Sequence, residues 1–593
     1  MTADMLDQPK QRSMSSRPGP WYSVATVLVA LAGLMAMLWR YRYGVDMLDE
    51  SFYVAEALRF ARGARPFVDV LDPHQLAAWF ASPVAALHMA LVGSTEAIVA
   101  SFRVAHALLA LGVGTLMFFA LDRYVDWQVA LLAVTSAFCL LPGMAPSLSY
   151  NTMGGLLLAS AIALGGLALA GRRPTVASFL SGACLGLCGL VYPTLLIVGL
   201  LSTVIWWLLT RSSRRVAALA AGFAFVWAIV LALLARDLHA LPLAIAYTQE
   251  LSSIFGYATG WPKLVSIVLG FGRLLTLPAI WLALAVVLTR LFRLSVAFPV
   301  WAVLLGTVVL VPIMSADALA PAIMSLLLML VGLTAIPTRS EAEVAGDSAR
   351  RFWIWAFVLA GLGASATAYS SAGGLTSAGF AALGVAAPAA ALLLHRIVAT
   401  QQAEVPTRRF VFWRTALVVL SATFLVGGLL VHNYLAAFVE QPPVQLNQTV
   451  TKGPYRYLIT SQKRKAEVDK LRADLLKQYQ PGDRIVSLYS FAAPYLMTPA
   501  LPAAHQTLIV PDEGDRATTS AMFIESIKAS GNGRVLLVVN KAMPDPVTYQ
   551  GQISGRAYSA DRDVLMPKLL DASKSVIAQR RWDIRVMDPE RLP

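Results

Sequence analysis

Acidic side chains are concentrated in one stretch near the start of an otherwise apolar chain. Asp46, Asp49 and Glu50 follow directly on the first long apolar segment. Carboxylates in this position can accept a proton from a substrate hydroxyl, or Asp46 or Asp49 can simply cap a helix. Only 14% of the 593 residues are charged, so the concentration of acids needs a reason. This stretch is the candidate functional site.

A second polar cluster follows in the same connection. Asp69, Asp72 and His74 come after Pro66 and lead into another apolar segment. From Glu50 onward, apolar residues recur at helical spacing, which predicts an amphipathic helix lying along the membrane surface. Two surface helices joined by an acidic turn favour a binding site over a simple helix cap.

Membrane spans are the elements that must position these residues. The composition is 57% hydrophobic with a mean hydropathy of +0.63, and apolar runs recur along the chain as in a polytopic α-helical membrane protein. Pro193 leaves open whether the runs beside it are two helices or one kinked helix. We predict about thirteen spans, at 21–38, 98–121, 128–141, 152–170, 176–192, 194–210, 216–235, 264–289, 295–313, 318–336, 353–371, 375–396 and 411–431.

Basic residues set the predicted orientation. Most of the net charge of +14 comes from arginines in short loops that alternate along the spans, as the positive-inside rule requires. A nucleic-acid partner is therefore not expected. The rule puts residues 1–20 in the cytoplasm ahead of an uncleaved first span. It puts the first outer loop, residues 41–97, and the C-terminal residues 432–593 on the outer side.

The chain divides into a membrane module, residues 21–431, and a small α/β domain, residues 432–593. The domain has no nucleophile elbow, phosphate loop or metal-ligand spacing, so we expect it to shape or cover a site held by the membrane module. Alternation of apolar runs with helical patterns indicates its α/β class. Helices are predicted at 461–479, 515–530 and 562–579, and strands at 484–488, 506–510, 534–540 and 582–586.

The first outer loop resembles that of a known enzyme superfamily. Asp49-Glu50 with Tyr53, followed by the segment 63–69 (GARPFVD), is similar to the large first outer loop of the type C (GT-C) glycosyltransferases. The nearest branch comprises the protein O-mannosyltransferases and the lipid A aminoarabinose transferases. The Pro481-Gly482-Asp483 turn before a strand, and Ala493-Pro494-Tyr495-Leu496 after it, also resemble this superfamily.

The resemblance implies a reaction and its partners. The enzyme would be a hexosyl- or pentosyltransferase that takes a sugar from a polyprenyl-phosphate donor. It would pass the sugar to an envelope glycan, lipid or protein acceptor on the extracytoplasmic face of the bacterial inner membrane. Asp49 matches the Asp-Glu position of the family and is the predicted general base, with Glu50 or Asp46 in reserve.

Cations at the outer surface are the expected partners of the donor phosphate. Arg103 and Arg273 lie inside apolar segments, where an arginine is costly and is usually paired or functional. The alternative to phosphate binding for Arg59 and Arg65 is a surface of the loop that is solvated by water or lipid headgroups. The predicted set is Arg59, Arg65, His74, Arg103, Lys263 and Arg273.

One segment departs from the family pattern. The aminoarabinose branch carries a Lys-Pro-Pro motif near the donor phosphate, whereas this chain reads Asp72-Pro73-His74-Gln75. His74 is the candidate hydrogen-bond donor in place of the lysine, although a lone histidine is more often structural. Some members of the superfamily use a divalent metal, for which Asp46, Asp49, Asp69 and Asp72 carry suitable oxygen ligands. Their spacing defines no site, so no metal-ligating residue is predicted.

Two other classes of function compete with this interpretation. A transporter or lipid-linked-glycan flippase would carry internal repeats with broken helices, and no such repeat is evident in the sequence. A membrane-anchored binding or assembly protein would carry its function in the C-terminal domain, which has no recognisable site. The glycosyltransferase is therefore the favoured function.

Overall fold

The computed structural model describes residues 20–72, 74–139, 146–254, 260–270, 347–371, 440–488, 491–505, 517–531, 533–541 and 565–592, with short stretches and single positions between 272 and 434. Its membrane module contains α1 (Pro20–Arg40), α2 (Asp49–Ala61), α3 (Gln75–Val92), α4 (Ile98–Leu121), α5 (Trp127–Phe138), α6 (Tyr150–Leu169), α7 (Pro174–Val191), α8 (Leu195–Thr210), α9 (Ser213–Leu234), α10 (Leu241–Ile254), α11 (Trp261–Gly270) and α12 (Asp347–Ser370).

The chain is a polytopic α-helical membrane protein. In its described part, seven helices are long and apolar enough to cross a membrane, namely α1, α3, α4, α6, α7, α9 and α12. Helices stand close to every run predicted up to residue 235, and α7 and α8 are separate helices on either side of Pro193. The runs 295–313 and 318–336, and parts of 264–289, 375–396 and 411–431, lie outside the described residues. The total of about thirteen spans therefore stays a prediction.

Helix α6 lies at the centre of the described bundle. It is buried along most of its length, and its glycines allow aromatic rings of α12 to approach. A Cβ at Gly165 would overlap the Trp355 ring, and one at Gly166 would overlap Phe352. Close packing through small residues is the usual way in which membrane helices associate, because lipid supplies little hydrophobic force between them.

The first outer loop contains α2 and α3. Gly63, with φ of 97°, follows the end of α2, and Gly93, with φ of 72°, ends α3, since glycine adopts this left-handed conformation without strain. Although α3 has the length and hydropathy of a span, both of its flanks bind the C-terminal domain. The Leu71 amide donates to the His505 carbonyl, and Thr95 Oγ1 donates to the Leu496 carbonyl. These contacts keep α3 alongside that domain.

The C-terminal domain contains a five-stranded mixed sheet, a separate antiparallel pair of short strands, β1 (Gln448–Thr449) and β2 (Ile459–Thr460), and helices. Its other elements are α13 (Gln462–Gln478), β3 (Arg484–Leu488), α14 (Pro494–Met497), β4 (Leu501–Pro502), α15 (Ala517–Ala529), β5 (Val535–Asn540), α16 (Leu565–Asp571), β6 (Ser573–Ala578) and β7 (Trp582–Met587). The sheet order is β4-β3-β5-β7-β6, with β3 parallel to β4 and β5, and β7 antiparallel to β5 and β6.

One predicted element of this domain is wrong. The helix predicted over 562–579 ends at Asp571, and residues 573–578 form the edge strand β6. This segment contains Val576 and Ile577, whose β-branched side chains favour strands, and its pairing with β7 satisfies the backbone. The strand predicted at 506–510 lies outside the described residues.

Backbone hydrogen bonds join the C-terminal domain to the first outer loop. The Gly44 amide donates to the Ile459 carbonyl (2.8 Å), and the Ile459 amide donates to the Arg42 carbonyl (2.7 Å). Further along the loop, the Ala493 amide donates to the Met47 carbonyl (3.2 Å). The domain therefore holds the chain that leads into the acidic stretch.

Candidate functional site

Asp46 organises the start of α2. Its Oδ1 accepts a hydrogen bond from the Leu48 amide (2.8 Å), and its Oδ2 accepts one from the Glu50 amide (3.0 Å). A carboxylate at this position satisfies amides that have no partner within the helix and interacts favourably with the helix dipole. Both carboxylate oxygens of Asp46 are thus engaged in capping, the alternative that the sequence left open.

Glu50 and Arg103 form a buried ion pair, with side chains 1% and 2% exposed. Arg103 Nε and Nη2 donate to the two carboxylate oxygens of Glu50, at 2.8 and 2.6 Å. Its remaining N–H groups donate to the carbonyls of Tyr41, Tyr43 and Gly44, at 2.8–2.9 Å. These bonds use all five N–H donors of a guanidinium. In this structure Arg103 therefore has no N–H group left for a donor phosphate, and both oxygens of Glu50 belong to the pair.

Asp49 differs from the other two acids. Its side chain is partly exposed, and no described residue donates a hydrogen bond to its carboxylate. Burial raises the pKa of Asp49 above its ordinary value, and burial with the neighbouring Asp49 charge raises the pKa of Asp46 as well. Two acids side by side favour protonation of one of them. Asp49 is the acid of this group whose oxygens can meet a substrate.

Aromatic rings from four elements surround this region. Tyr53 lies one helical turn after Asp49, and its ring meets Tyr150 edge-on with centroids 5.4 Å apart. His74, just before α3, stacks on Tyr150 with centroids 3.7 Å apart and an interplanar angle of 10°. Tyr192, which ends α7, lies 5.3 Å from Tyr150 and 5.8 Å from His74. Burial, followed by the charge of Tyr150, raises the pKa of Tyr53.

The first turn of α6 is fixed by its own side chains. Ser149 and Thr152 form a capping box, in which each side chain binds the backbone amide of the other. A capping box satisfies two amides at the start of a helix and sets the direction in which the chain enters it. Tyr150, the first helical residue, is therefore held in place by local sequence.

The predicted cations fall into separate places. Arg59 donates to the Asp69 carbonyl, while its Nη1 is buried without a partner in the described structure. Arg65 is exposed and pairs with Asp69 (3.2 Å) and, more loosely, with Asp237 (3.9 Å). Among the described residues, neither arginine forms an ion pair or a hydrogen bond with Asp49.

Lys263 contacts the C-terminal end of α12. Its Nζ donates to the Ser371 carbonyl at the end of α12 (3.2 Å). One helical turn earlier, the Thr367 carbonyl accepts a hydrogen bond from the Tyr192 hydroxyl (3.4 Å). Lys263 is thus connected through α12 to Tyr192. Arg273 lies outside the described residues.

The acids considered for a metal are dispersed. Asp69 pairs with Arg65, Asp46 caps α2, and Asp72 accepts a hydrogen bond from the His74 amide (3.1 Å). Within the described ranges, no group of three or more His, Cys, Asp or Glu residues could hold a metal ion. The residues present therefore give no basis for a step through a metal.

Sequence reasoning missed three residues of this region. Tyr150 and Tyr192 stand at the ends of apolar runs, where a single tyrosine is an ordinary feature of a membrane interface. Glu56 lies two turns after Asp49 on the same face of α2 and is buried. Burial, followed by the charge of Glu56, raises the pKa of Asp72 to about 8. The i, i+7 spacing of Asp49 and Glu56 was the signal that could have identified Glu56.

The chain resembles solved structures but has no match among family models or curated proteins. No family model and no curated protein matches the chain. ArnT from Cupriavidus metallidurans in the apo state is 15% identical, with 97% of this chain and 99% of that chain covered and a TM-score of 0.46. ArnT bound to undecaprenyl phosphate is also 15% identical, with coverage of 95% and 98% and a TM-score of 0.42.

A third similar structure is the Archaeoglobus fulgidus oligosaccharyltransferase tethered with an acceptor peptide. It is 12% identical, 93% of this chain and 72% of that chain are covered, and the TM-score is 0.48. At this level of likeness, the chemistry has to be argued from the chain's own residues. ArnT is a lipid A aminoarabinose transferase.

Proposed function

We propose that this protein is an integral-membrane glycosyltransferase that moves a sugar from a polyprenyl-phosphate donor to an acceptor on the outer face. The observation that carries the proposal is that three neighbouring acids differ in their hydrogen-bond partners and exposure. Asp46 is committed to capping and Glu50 to Arg103, while Asp49 is partly exposed and has no hydrogen bond from a described residue. That arrangement suits a general base on a loop at the membrane surface.

The proposed reaction is a single displacement at the anomeric carbon. Asp49 accepts the proton of an acceptor hydroxyl, whose oxygen forms a bond to the anomeric carbon of the sugar. The bond between that carbon and the phosphate oxygen breaks, and its electron pair stays on the polyprenyl phosphate. A general base that begins with a raised pKa is closer to neutral pH, where proton transfer in both directions is efficient.

Lys263 is the cation that we propose for the departing phosphate. It is held on the Ser371 carbonyl beside the end of α12, which also binds Tyr192 of the aromatic group. An ammonium is a compact positive charge with three N–H donors, which suits the oxygens of a phosphate. A fixed positive charge near the leaving group stabilises the negative charge that develops as the bond breaks.

Transfer by the purified protein tests the proposal. We expect proteoliposomes containing the protein to release sugar from a polyprenyl-phosphate sugar only when an acceptor hydroxyl is supplied. Reporter fusions after residues 97 and 592 should both report the non-cytoplasmic side. Movement of the intact lipid-linked sugar across the bilayer, with no transfer to any acceptor, would instead identify a flippase.

The raised pKa of Asp49 predicts a distinctive pH dependence. A base works only when it is deprotonated, so kcat/KM should rise with pH through the pKa of Asp49 and reach a plateau above it. The rising part of the profile at low pH is its acid limb. Since burial raises the pKa of Asp49 above 3.8, this limb should lie nearer to neutral pH than for a free aspartate. The measurement is the pH profile of kcat/KM for sugar transfer, at pH values where the protein stays folded.

Asp46→Asn provides the control for this profile. Asparagine has one acceptor oxygen, so the variant keeps one of the two hydrogen bonds that Asp46 accepts from the Leu48 and Glu50 amides. Burial raises the pKa of Asp49, and this variant leaves that burial in place, so the acid limb should stay where it is in the wild type. An acid limb already at the value of a free aspartate, or one that Asp46→Asn abolishes, would argue against Asp49 as the base.

A further inference from the structure

The group formed by Tyr53, His74, Tyr150 and Tyr192 is not a simple core cluster. Tyr53, His74 and Tyr150 are each partly exposed, and every member has a polar group at the edge of its ring. The aromatic cluster between α8 and α12 provides the contrast, since Trp206 and Trp355 there are fully buried and pack with centroids 4.7 Å apart. The partial exposure of three of its four members distinguishes this group from that core cluster.

His74 adds a second observation. Its Nδ1 is buried and has no hydrogen-bond partner in the described structure, although the ring itself is held by stacking on Tyr150. Because buried polar atoms are usually paired, this nitrogen beside partly exposed rings is available to a hydrogen-bonding group of a ligand. Burial lowers the pKa of His74 to about 4, which keeps the imidazole neutral and able to accept or donate one hydrogen bond on each nitrogen.

The elements that carry these rings also carry or contact the proposed base and the proposed phosphate cation. Tyr53 follows Asp49 at i+4 on α2, so the two side chains share a helix face. Tyr150 begins α6, and Tyr192 is tied to α12 next to Lys263. The rings are therefore linked to the proposed base through α2 and to the proposed phosphate cation through α12, and the sugar of the donor has to bind near both during transfer.

We infer that Tyr53, His74, Tyr150 and Tyr192 form the wall that binds the sugar ring of the lipid-linked donor. This inference rests on the proposed function and adds a binding role that the function alone does not require. The C–H face of a pyranose or pentose ring is apolar and weakly electropositive, which complements the negative face of an aromatic ring. His74 Nδ1, which has no partner in the described structure, then supplies a hydrogen bond to a sugar hydroxyl.

Binding measurements with and without the sugar test this inference. The probes are polyprenyl phosphates that carry a hexose, a pentose or an aminopentose, each compared with the same polyprenyl phosphate without a sugar. For the wild type, at least one sugar should tighten binding. In Tyr150→Leu that gain should shrink by about threefold to tenfold, the range expected for loss of one aromatic contact, while binding of the bare lipid phosphate should not change.

Two further variants distinguish the effect of losing a ring of this group from the effect of misfolding. His74→Gln keeps a hydrogen-bonding group but removes the stacked ring, and it should lose the sugar-dependent gain in the same way if Tyr150→Leu does not fold. Tyr124→Leu is the matched control, because Tyr124 stacks on Phe352 with centroids 4.6 Å apart outside this wall. It should leave the gain from the sugar intact.

Three outcomes would overturn the inference. The first is an unchanged gain from the sugar in both Tyr150→Leu and His74→Gln. The second is equal weakening of the bare and the sugar-carrying lipids, which would assign the rings to the prenyl chain or the phosphate. The third is a wild type that transfers sugar yet binds both lipids equally, which would leave the proposed function standing. Failure of the wild type to bind or transfer any lipid-linked sugar would remove the function and the inference together.

Discussion

Replacing Asp49 by Asn is expected to lower kcat for sugar transfer by about 10²- to 10⁴-fold, the usual contribution of a general base. Asparagine has nearly the same shape as aspartate but cannot accept the proton of the acceptor hydroxyl. The affinity for the polyprenyl-phosphate donor should change little, because Asp49 acts on the acceptor. The measurement is single-turnover transfer from a polyprenyl-phosphate sugar by the purified variant, at a pH above the acid limb of the wild type.

Stability should move in the opposite direction from activity. Asp49 has no hydrogen bond from a described residue to lose, and its charge opposes that of Asp46, whose pKa it helps to raise. Removing one of two adjacent acids relieves this repulsion. We therefore expect Asp49→Asn to melt at the same temperature as the wild type or slightly higher, as is common for active-site residues that are selected for function.

A second acid of the same loop provides the control. Asp69→Asn removes a carboxylate that is 38% exposed and paired with Arg65, and it should leave the rate of transfer close to that of the wild type. If Asp49→Asn turned over at a near wild-type rate, the base would be another acid of the region. Equal losses in both variants would indicate that the charge of the loop, and not a specific base, supports the reaction.

Local sequence predicted the membrane helices well because each is bounded by a change of composition. The run predicted over 98–121 coincides with α4, and the run 152–170 nearly coincides with α6. Residues 573–578 show where such reasoning ends. The sequence pattern was interpreted as a helix although the β-branched Val576 and Ile577 favour a strand, and pairing with β7 decides for the strand.

The candidate site could be predicted only in part from the sequence. Asp49 stood out because it belongs to a recognisable Asp-Glu pair in an acidic stretch. The partners of Glu50 could not be found in this way, because Arg103 is 53 positions away along the chain and nothing in either local sequence links them. Tyr150 and Tyr192 meet His74 only after three helices have packed together, so the aromatic wall is a tertiary feature.

Breaking the Glu50–Arg103 pair is expected to have the largest effect on stability. Arg103→Leu would leave the Glu50 carboxylate buried without a counter-charge, and removal of one partner from such a pair costs about 3–5 kcal/mol. It would also leave the carbonyls of Tyr41, Tyr43 and Gly44 without the donors they have now. Thermal unfolding in detergent measures the loss.

Glu50→Gln should cost less than Arg103→Leu. The amide oxygen of glutamine can still accept one hydrogen bond from Arg103, and the three bonds from Arg103 to backbone carbonyls remain. The exposed pair of Arg65 and Asp69 supplies the matched control, since its members are 45% and 38% exposed and such pairs contribute about 0–1 kcal/mol. The expected order of destabilisation is therefore Arg103→Leu, then Glu50→Gln, then Arg65→Ala.

The same variants test whether Arg103 is a structural clamp or a ligand of the donor phosphate. As a clamp, Arg103 fixes the backbone that leads into α2, so its loss should lower the melting temperature and reduce transfer only through misplacement of Asp49. A Glu50→Gln/Arg103→Leu double variant should then be less destabilised than the sum of the single changes, because neither charge is left alone. If Arg103→Leu instead kept the wild-type melting temperature and lost binding of bare polyprenyl phosphate, Arg103 would be a ligand of the donor phosphate, and its contacts with Glu50 would have to open when the donor binds.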